Sequence, residues 1–166
     1  AIAGNPAGHS LSPTIHNRRF RERGVSAAHT ILSTDAFEEV AAAMDRGGQL
    51  VPRGLSITAP FKERAMTFAR THGATIAPNA MESGAVNTLI KMPDGLLADN
   101  TDVDGLSAML QEICGRDRKS IAVIGAGGTA RAAVLSANHL GMHVNVYNRT
   151  SSRSVATSGW RRRRRS

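Results

Sequence analysis

Ser10, Ser12, Ser56, Thr58, Lys62, Asn87, Thr101 and Asp102 are polar residues at strand ends or helix starts, where core packing does not require them. Neutral hydroxyls and an amide of this kind suit a hydroxyl-rich small molecule. One cation among them suits a carboxylate, or a proton in transit. Lys62 with Asp102 makes a candidate proton-transfer pair: the carboxylate orients the amine, and partial burial pulls the lysine pKa toward working pH. Each residue also has a plainer reading. Ser12 and Asp102 would serve as helix caps, and Lys62 as a first-turn surface lysine.

A second group points to phosphate chemistry. Ile121 to Ile124 form a short apolar run suited to a strand buried on both faces, and Gly125-Ala126-Gly127-Gly128-Thr129-Ala130 follows at once. Ala130, Ala133, Val134, Ala137 and Leu140 then recur at helical spacing, Gly141 ends the helix, and Val144, Val146 and Tyr147 predict a second strand. The unit has the roughly 30-residue size of a dinucleotide-binding βαβ. Gly125 permits the tight turn, Gly127 lets the backbone approach a pyrophosphate, and Ala130 lets the helix pack closely on the strand. The helix N-terminus offers unpaired N–H groups to the phosphates.

The end of the second strand refines the cofactor. An NAD site places Asp or Glu there, for the ribose 2′-OH. This chain has Asn148-Arg149-Thr150, with Arg153 following. Guanidinium groups suit a 2′-phosphate, so NADP is the expected cofactor. The plainer alternative makes Arg149 and Arg153 solvated surface charges.

The elements that must position these groups are those of an α/β chain. Ile2-Ala3-Gly4 reads as a strand end and Asn5 to Gly8 as a turn. Ser12 is placed to cap a helix with Pro13 at its first position, carrying His16, Asn17 and Phe20 and stopping near Gly24. A strand over 28–32 precedes a helix bearing Phe37, Val40, Ala41 and Met44, which Gly47-Gly48 breaks. A strand over 55–58 meets Pro60, and a helix over 61–70 closes at His72-Gly73. A strand over 84–90 turns at Asp94-Gly95 and returns through Leu96 to Ala98. Asn100-Thr101-Asp102 caps a helix with Leu106, Met109, Leu110 and Ile113 on one face.

The fold expected is therefore an N-terminal α/β substrate-binding domain, residues 1–102, followed by a partial Rossmann-type NADP-binding domain, residues 119–153. A connecting helix and linker span 103–118, and an Arg-rich tail spans 154–166. A cleft between the domains would bring a small ligand and a nicotinamide together.

Composition bounds the function classes. The chain has 166 residues, 41% of them hydrophobic, enough for a core. No apolar run reaches transmembrane length, and the first residues lack the basic region and long apolar core of a signal peptide. The single Cys114 cannot form an internal disulfide, which fits a reducing, cytoplasmic compartment. The net charge of +8 owes five of its charges to Arg161–Arg165, leaving +3 for the remainder. Such a block binds polyanions non-specifically, and with only Trp160 for stacking it argues against specific nucleic-acid recognition.

The motifs, taken together, match one family. Gly4-Asn5-Pro6 with His9-Ser10-Leu11-Ser12-Pro13 and His16-Asn17 resembles the N-terminal signature of shikimate dehydrogenases. Ser56 to Lys62 looks like their substrate strand and catalytic lysine, and residues 84–89 and 100–105 match two further blocks in the same order. Gly125 to Ala130, and Asn148-Arg149-Thr150 with Arg153, complete the series as the NADP site.

The resemblance implies reversible NADPH-dependent reduction of 3-dehydroshikimate to shikimate, a step of aromatic amino-acid biosynthesis. It implies Lys62 and Asp102 as the catalytic pair, Ser10 and Ser12 on the substrate carboxylate, and Thr58, Asn87 and Asp102 on hydroxyls. Ser56 departs from the Asn of many bacterial members and leaves preference between shikimate and quinate open. The family pattern also implies further strands, returning helices and a substrate-binding glutamine beyond Arg153. Their place is taken by 154–166, so the chain reads as truncated. A half-built parallel sheet has an unpaired edge, which favours homodimers or aggregation. The rival reading is a non-catalytic remnant that binds shikimate or NADP, or acts through its basic tail.

Overall fold

The computed structural model describes residues 1–48, 51–115 and 120–149. They form two compact units: Ala1–Ala77 with Val86–Asp99, and Pro78–Ala85 with the chain from Asn100 onward. The chain thus leaves the first unit for one short helix, returns, and leaves again after Asp99. Nothing in the residue pattern announces that excursion.

The first unit is built on a six-stranded sheet in the order β2-β1-β3-β5-β6-β4. Its strands are β1 (Ile2–Gly4), β2 (Ile31–Ser33), β3 (Gly54–Ile57), β4 (Thr75–Ile76), β5 (Thr88–Met92) and β6 (Gly95–Asp99). β1 runs parallel to β2 and β3, and β4 parallel to β6. β5 is antiparallel to both of its neighbours. One edge therefore collects the C-terminal ends of β1, β3 and β6 and the start of β5, where Thr88 pairs with Ser56 on one side and Asp99 on the other.

In β3, Leu55 and Ile57 are buried while Gly54 and Ser56 are half-buried, the period-2 signature of a strand. Phe37, Ala41 and Met44 of α2 (Phe37–Arg46) and Ala65, Phe68 and Ala69 of α3 (Lys62–Thr71) are buried as well. Phe37 stacks on Phe61 at 5.5 Å and meets Phe68 edge-on at 6.2 Å. Burying three phenylalanines contributes roughly 2–3 kcal/mol each before entropy is counted. Helix α1 (Ser12–Glu22) has no fully buried residue.

The second unit contains α4 (Pro78–Ser83), α5 (Asp102–Cys114), β7 (Ser120–Ile124), α6 (Gly128–His139) and β8 (His143–Tyr147). β7 and β8 pair in parallel along all five residues, joined through α6 as expected for a βαβ unit. Ala132 and Leu135 of α6 pack on Val103 and Leu106 of α5. Small Ala132 and Ser136 let the two helices approach, and the buried Ser136 hydroxyl sits 2.8 Å from Val103 O.

Several local expectations are corrected. Ser12 is the first residue of α1 and not its cap; the Ser10 hydroxyl accepts the Ser12 N–H at 3.2 Å instead. The strand expected over 28–32 starts at Ile31, and the one expected from Gly84 starts at Thr88. Gly84 takes φ +59, which turns the chain, and Ala85 and Val86 are buried in a loop. The hairpin turn residues are Pro93 and Asp94, with Gly95 at φ +132 opening the return strand. β7 is not buried on both faces: only Val123 is buried and Ile124 is 90% exposed, because β8 is its only partner among the described residues. The apolar stripe of α5 is covered only near its start, since Val103 is buried but Met109 and Ile113 are exposed. Among the described residues, no helix is long and apolar enough to cross a membrane.

Candidate functional site

The sheet edge of the first unit gathers most of the expected substrate residues. Ser10 follows β1 through the turn at 5–8, its N–H donating to Ala7 O at 3.0 Å. Thr58 follows β3, donating its N–H to Ala3 O and accepting from Phe61 N–H, both at 3.0 Å. Lys62 opens α3, and its carbonyl accepts Val86 N–H at 2.9 Å. Asn87 precedes β5; its carbonyl accepts Ile57 N–H at 2.6 Å, and its own N–H donates to Asp99 O at 3.0 Å. Ser10, Ser12, Thr58, Lys62 and Asn87 are all half-buried, accessible to a ligand yet held by backbone bonds.

Two residues outside the expected set shape this edge. A Cβ on Gly4 would overlap the Thr58 methyl and crowd Ala59 O, so only glycine lets the two loops meet there. Asn5 N–H reaches the same Ala59 O at 3.2 Å. Thr88 donates its hydroxyl to Asn87 Oδ1 at 2.7 Å, which sets how the Asn87 amide is turned. The only sequence signals for these roles are the adjacency of Thr88 to Asn87 and a glycine at a strand end.

Ser56 is placed differently. It lies within β3, level with Ile2 and Thr88. It lines a groove of about 730 Å³ with Thr88, with His16 and Phe20 of α1, and with His29. His16 stacks on His29 at 4.6 Å. His29 is buried, its Nδ1 has no partner among the described residues, and its pKa is pushed down to about 4 by burial, then by the nearby N-terminal amine and His16.

Asp102 belongs to the second unit, as the half-buried first residue of α5. Its N–H donates to Asn100 Oδ1 at 3.3 Å, so the side chain that caps this helix start is Asn100. Lys62 and Asp102 thus stand on different units, each held by its own backbone contacts.

The glycine turn expected to meet a pyrophosphate joins β7 to α6. Gly125 takes φ +115, a conformation only glycine adopts without strain, and its N–H donates to Tyr147 O at 2.8 Å. Gly127 is extended at φ −87, and a Cβ there would meet no atom of the described residues within 4 Å. Packing therefore does not demand glycine at 127. Gly128, Thr129 and Ala130 form the first turn of α6, and Ala126 beneath them is buried. Asn148 and Arg149 follow β8, with Arg149 exposed. Thr150 and Arg153, the other expected phosphate contacts, and the tail 154–166 lie outside the described residues.

A sheet edge carrying hydroxyls, an amide and a lysine, in a chain that also carries a glycine-turn βαβ, defines an α/β protein with a dinucleotide-type turn. Comparison with known proteins makes this specific. Residues 2–89 match the family model of the shikimate dehydrogenase substrate binding domain. The chain is 35% identical to the shikimate dehydrogenase (NADP(+)) of Hyphomonas neptunium, covering 92% of this chain and 55% of that protein. It is 40% identical to that of Halorhodospira halophila, over 96% of this chain and 58% of the relative. The crystal structure of Thermus thermophilus shikimate 5-dehydrogenase in complex with NADP(H) and shikimate superposes with a TM-score of 0.78 at 29% identity, covering 96% of this chain and 59% of that one. The chain belongs to the shikimate dehydrogenase family. It spans a little over half the length of these relatives.

Proposed function

We propose that this chain supplies the substrate-holding edge and the first part of the NADP site of an enzyme that interconverts 3-dehydroshikimate and shikimate. The carrying observation is the placement of Thr58 after β3, Asn87 before β5 and Lys62 bonded to Val86 beside it, with Ser10 in the loop after β1, all inside the segment that matches the substrate-binding family model. The Ser10 hydroxyl already accepts the Ser12 N–H, so its own O–H is the group left to donate to a substrate carboxylate. Ser12 assists it. Thr58, Asn87 and Asp102 take ring hydroxyls, and the Asn87 amide is pre-turned by Thr88.

NADP⁺, when bound, would supply the hydride acceptor for the alcohol carbon. Lys62 takes the hydroxyl proton in that direction and returns it in reduction, and Asp102 orients the lysine and a hydroxyl. Gly125, Ala126, Gly127, Gly128, Thr129 and Ala130 would hold the pyrophosphate, and Asn148, Arg149, Thr150 and Arg153 the 2′-phosphate. Residues 1–102 act as the substrate part and 119–153 as the cofactor part. A cytoplasmic setting, and self-association through an exposed sheet edge, belong to the same reading.

The test is NADPH formation from shikimate and NADP⁺ by the purified chain, with shikimate affinity measured by calorimetry. Turnover that Lys62→Ala lowers by about a thousandfold supports the enzyme reading. Shikimate binding without turnover favours a ligand-binding remnant. Running quinate beside shikimate decides what Ser56 selects. Absence of both binding and turnover overturns the proposal.

A further inference from the structure

Asn100 is fully buried, which is costly for an amide unless its hydrogen bonds are met. Its Nδ2 donates to the hydroxyl of Ser83 at 2.8 Å, and Ser83 is itself fully buried at the end of α4. The Ser83 hydroxyl passes its own hydrogen to Ala85 O at 3.2 Å, with Ala80 O at 3.4 Å as the alternative acceptor. At its other end, Asn100 Oδ1 accepts the Asp102 N–H at 3.3 Å, and the Asn100 carbonyl accepts the Val103 N–H at 3.3 Å. One buried side chain therefore anchors α4 to the turn from which Asp102 projects. All of these bonds lie within the second unit.

A helix cap alone does not require this arrangement. Exposed Ser, Thr or Asp cap helices well, and burying the capping amide against a second buried hydroxyl adds desolvation that must be offset. What the buried chain adds is direction. Asp102 has the amide on its N-terminal side tied to Asn100, and the next residue tied to the same Asn100 carbonyl, so its Cα–Cβ vector is held before any ligand arrives.

From this juxtaposition we infer that Asn100, braced by Ser83, is a positioning residue for Asp102. The pair pre-aims the Asp102 carboxylate for the hydroxyl it binds. The inference rests on the proposed role of Asp102 in substrate binding.

Two measurements on the full chain test it. Amide hydrogen exchange reads the turn without any ligand. Asn100→Ala should cost the Asp102 and Val103 amides roughly tenfold in protection while the middle of α5 and α6 changes little. Shikimate calorimetry reads the consequence. Asn100→Ala should raise Kd roughly tenfold in the native background and add nothing in an Asp102→Asn background, because a residue that acts through Asp102 has nothing left to act on. Asn100→Ser, which keeps an oxygen for the Asp102 amide, should recover part of both effects.

Equal loss of protection across α5 and α6, or an unchanged Kd penalty in the Asp102→Asn background, would show a general scaffold role and overturn the inference. If Asn100→Ala does not fold, Ser83→Ala, which removes only the far anchor, must show the same localised pattern. A native chain that fails to bind shikimate defeats the functional reading of Asp102 but leaves the exchange pattern to decide whether Asn100 holds the turn.

Discussion

Asn17 and His29 clasp each other through two hydrogen bonds: Asn17 Nδ2 donates to the His29 carbonyl at 3.0 Å, and the His29 N–H donates to Asn17 Oδ1 at 2.6 Å. The side-chain amide thereby mimics a strand partner for the segment that leads into β2. Helix α1 has no fully buried residue, and this clasp ties it to that segment. Asn17→Ala removes both bonds and leaves the partly buried backbone groups of His29 unmatched, at a cost of about 1–3 kcal/mol. Urea melts check the magnitude, and Asn17→Asp, which keeps only the acceptor, should fall between the two.

Acid should weaken the first unit through His29. Its folded pKa is lowered from 6.5 to about 4, chiefly by burial. Above pH 6.5 the ring is neutral in both folded and unfolded chains and contributes nothing to pH dependence. As pH falls from 6.5 toward 4 the unfolded chain takes up a proton that the folded chain refuses, so stability drops. Below 4 both are protonated and the loss levels off, at about 3 kcal/mol in total. Denaturant midpoints between pH 7.5 and 3.5 should show this slope, and His29→Asn should flatten it.

Gly4 clears the space that Thr58 occupies, so Gly4→Ala should displace Thr58 and the loop at 58–61. Overpacking of this kind costs about 1–3 kcal/mol of stability. Shikimate affinity should fall as well, and restoring room with the double variant Gly4→Ala, Thr58→Ser should recover stability in thermal melts.

The two glycines of the dinucleotide turn should separate fold from binding. Gly125→Ala forces an L-residue to φ +115 and should destabilise by about 1–2 kcal/mol. Gly127→Val meets open space at an ordinary backbone angle, so the melting temperature should hold while NADP affinity, measured by fluorescence titration, falls at least about tenfold.

The sequence revealed most where structure is local. The strand, glycine turn and helix over 120–139 follow from the apolar run, the helical spacing and two glycines, all within one short window. The position of Thr58 and Asn87 at strand ends was legible because polar residues flank the apolar runs there. Helix α4 and strand β4 escaped notice, since six residues and two residues carry no periodicity. The Asn100–Ser83 bond was invisible for another reason: its partners are distant in sequence, and each alone looks like a turn residue. Exposure of Ile124 could not be foreseen either, because burial of a strand depends on how many others flank it.

The order of the sheet also sets a timetable for synthesis. β1 lies between β2 and β3, yet Ile2 is made well before Ile31 and more than fifty residues before Ser56. At the usual roughly 5–20 residues per second, this apolar strand waits about 3–10 s for both neighbours. The β5–β6 pair, by contrast, closes across a two-residue turn as soon as it is made. A ribosome paused before Ser56 would therefore hold out a central strand with β2 available on one side and its β3 side still unpaired. One paused after Asp99 would carry every strand of the first unit.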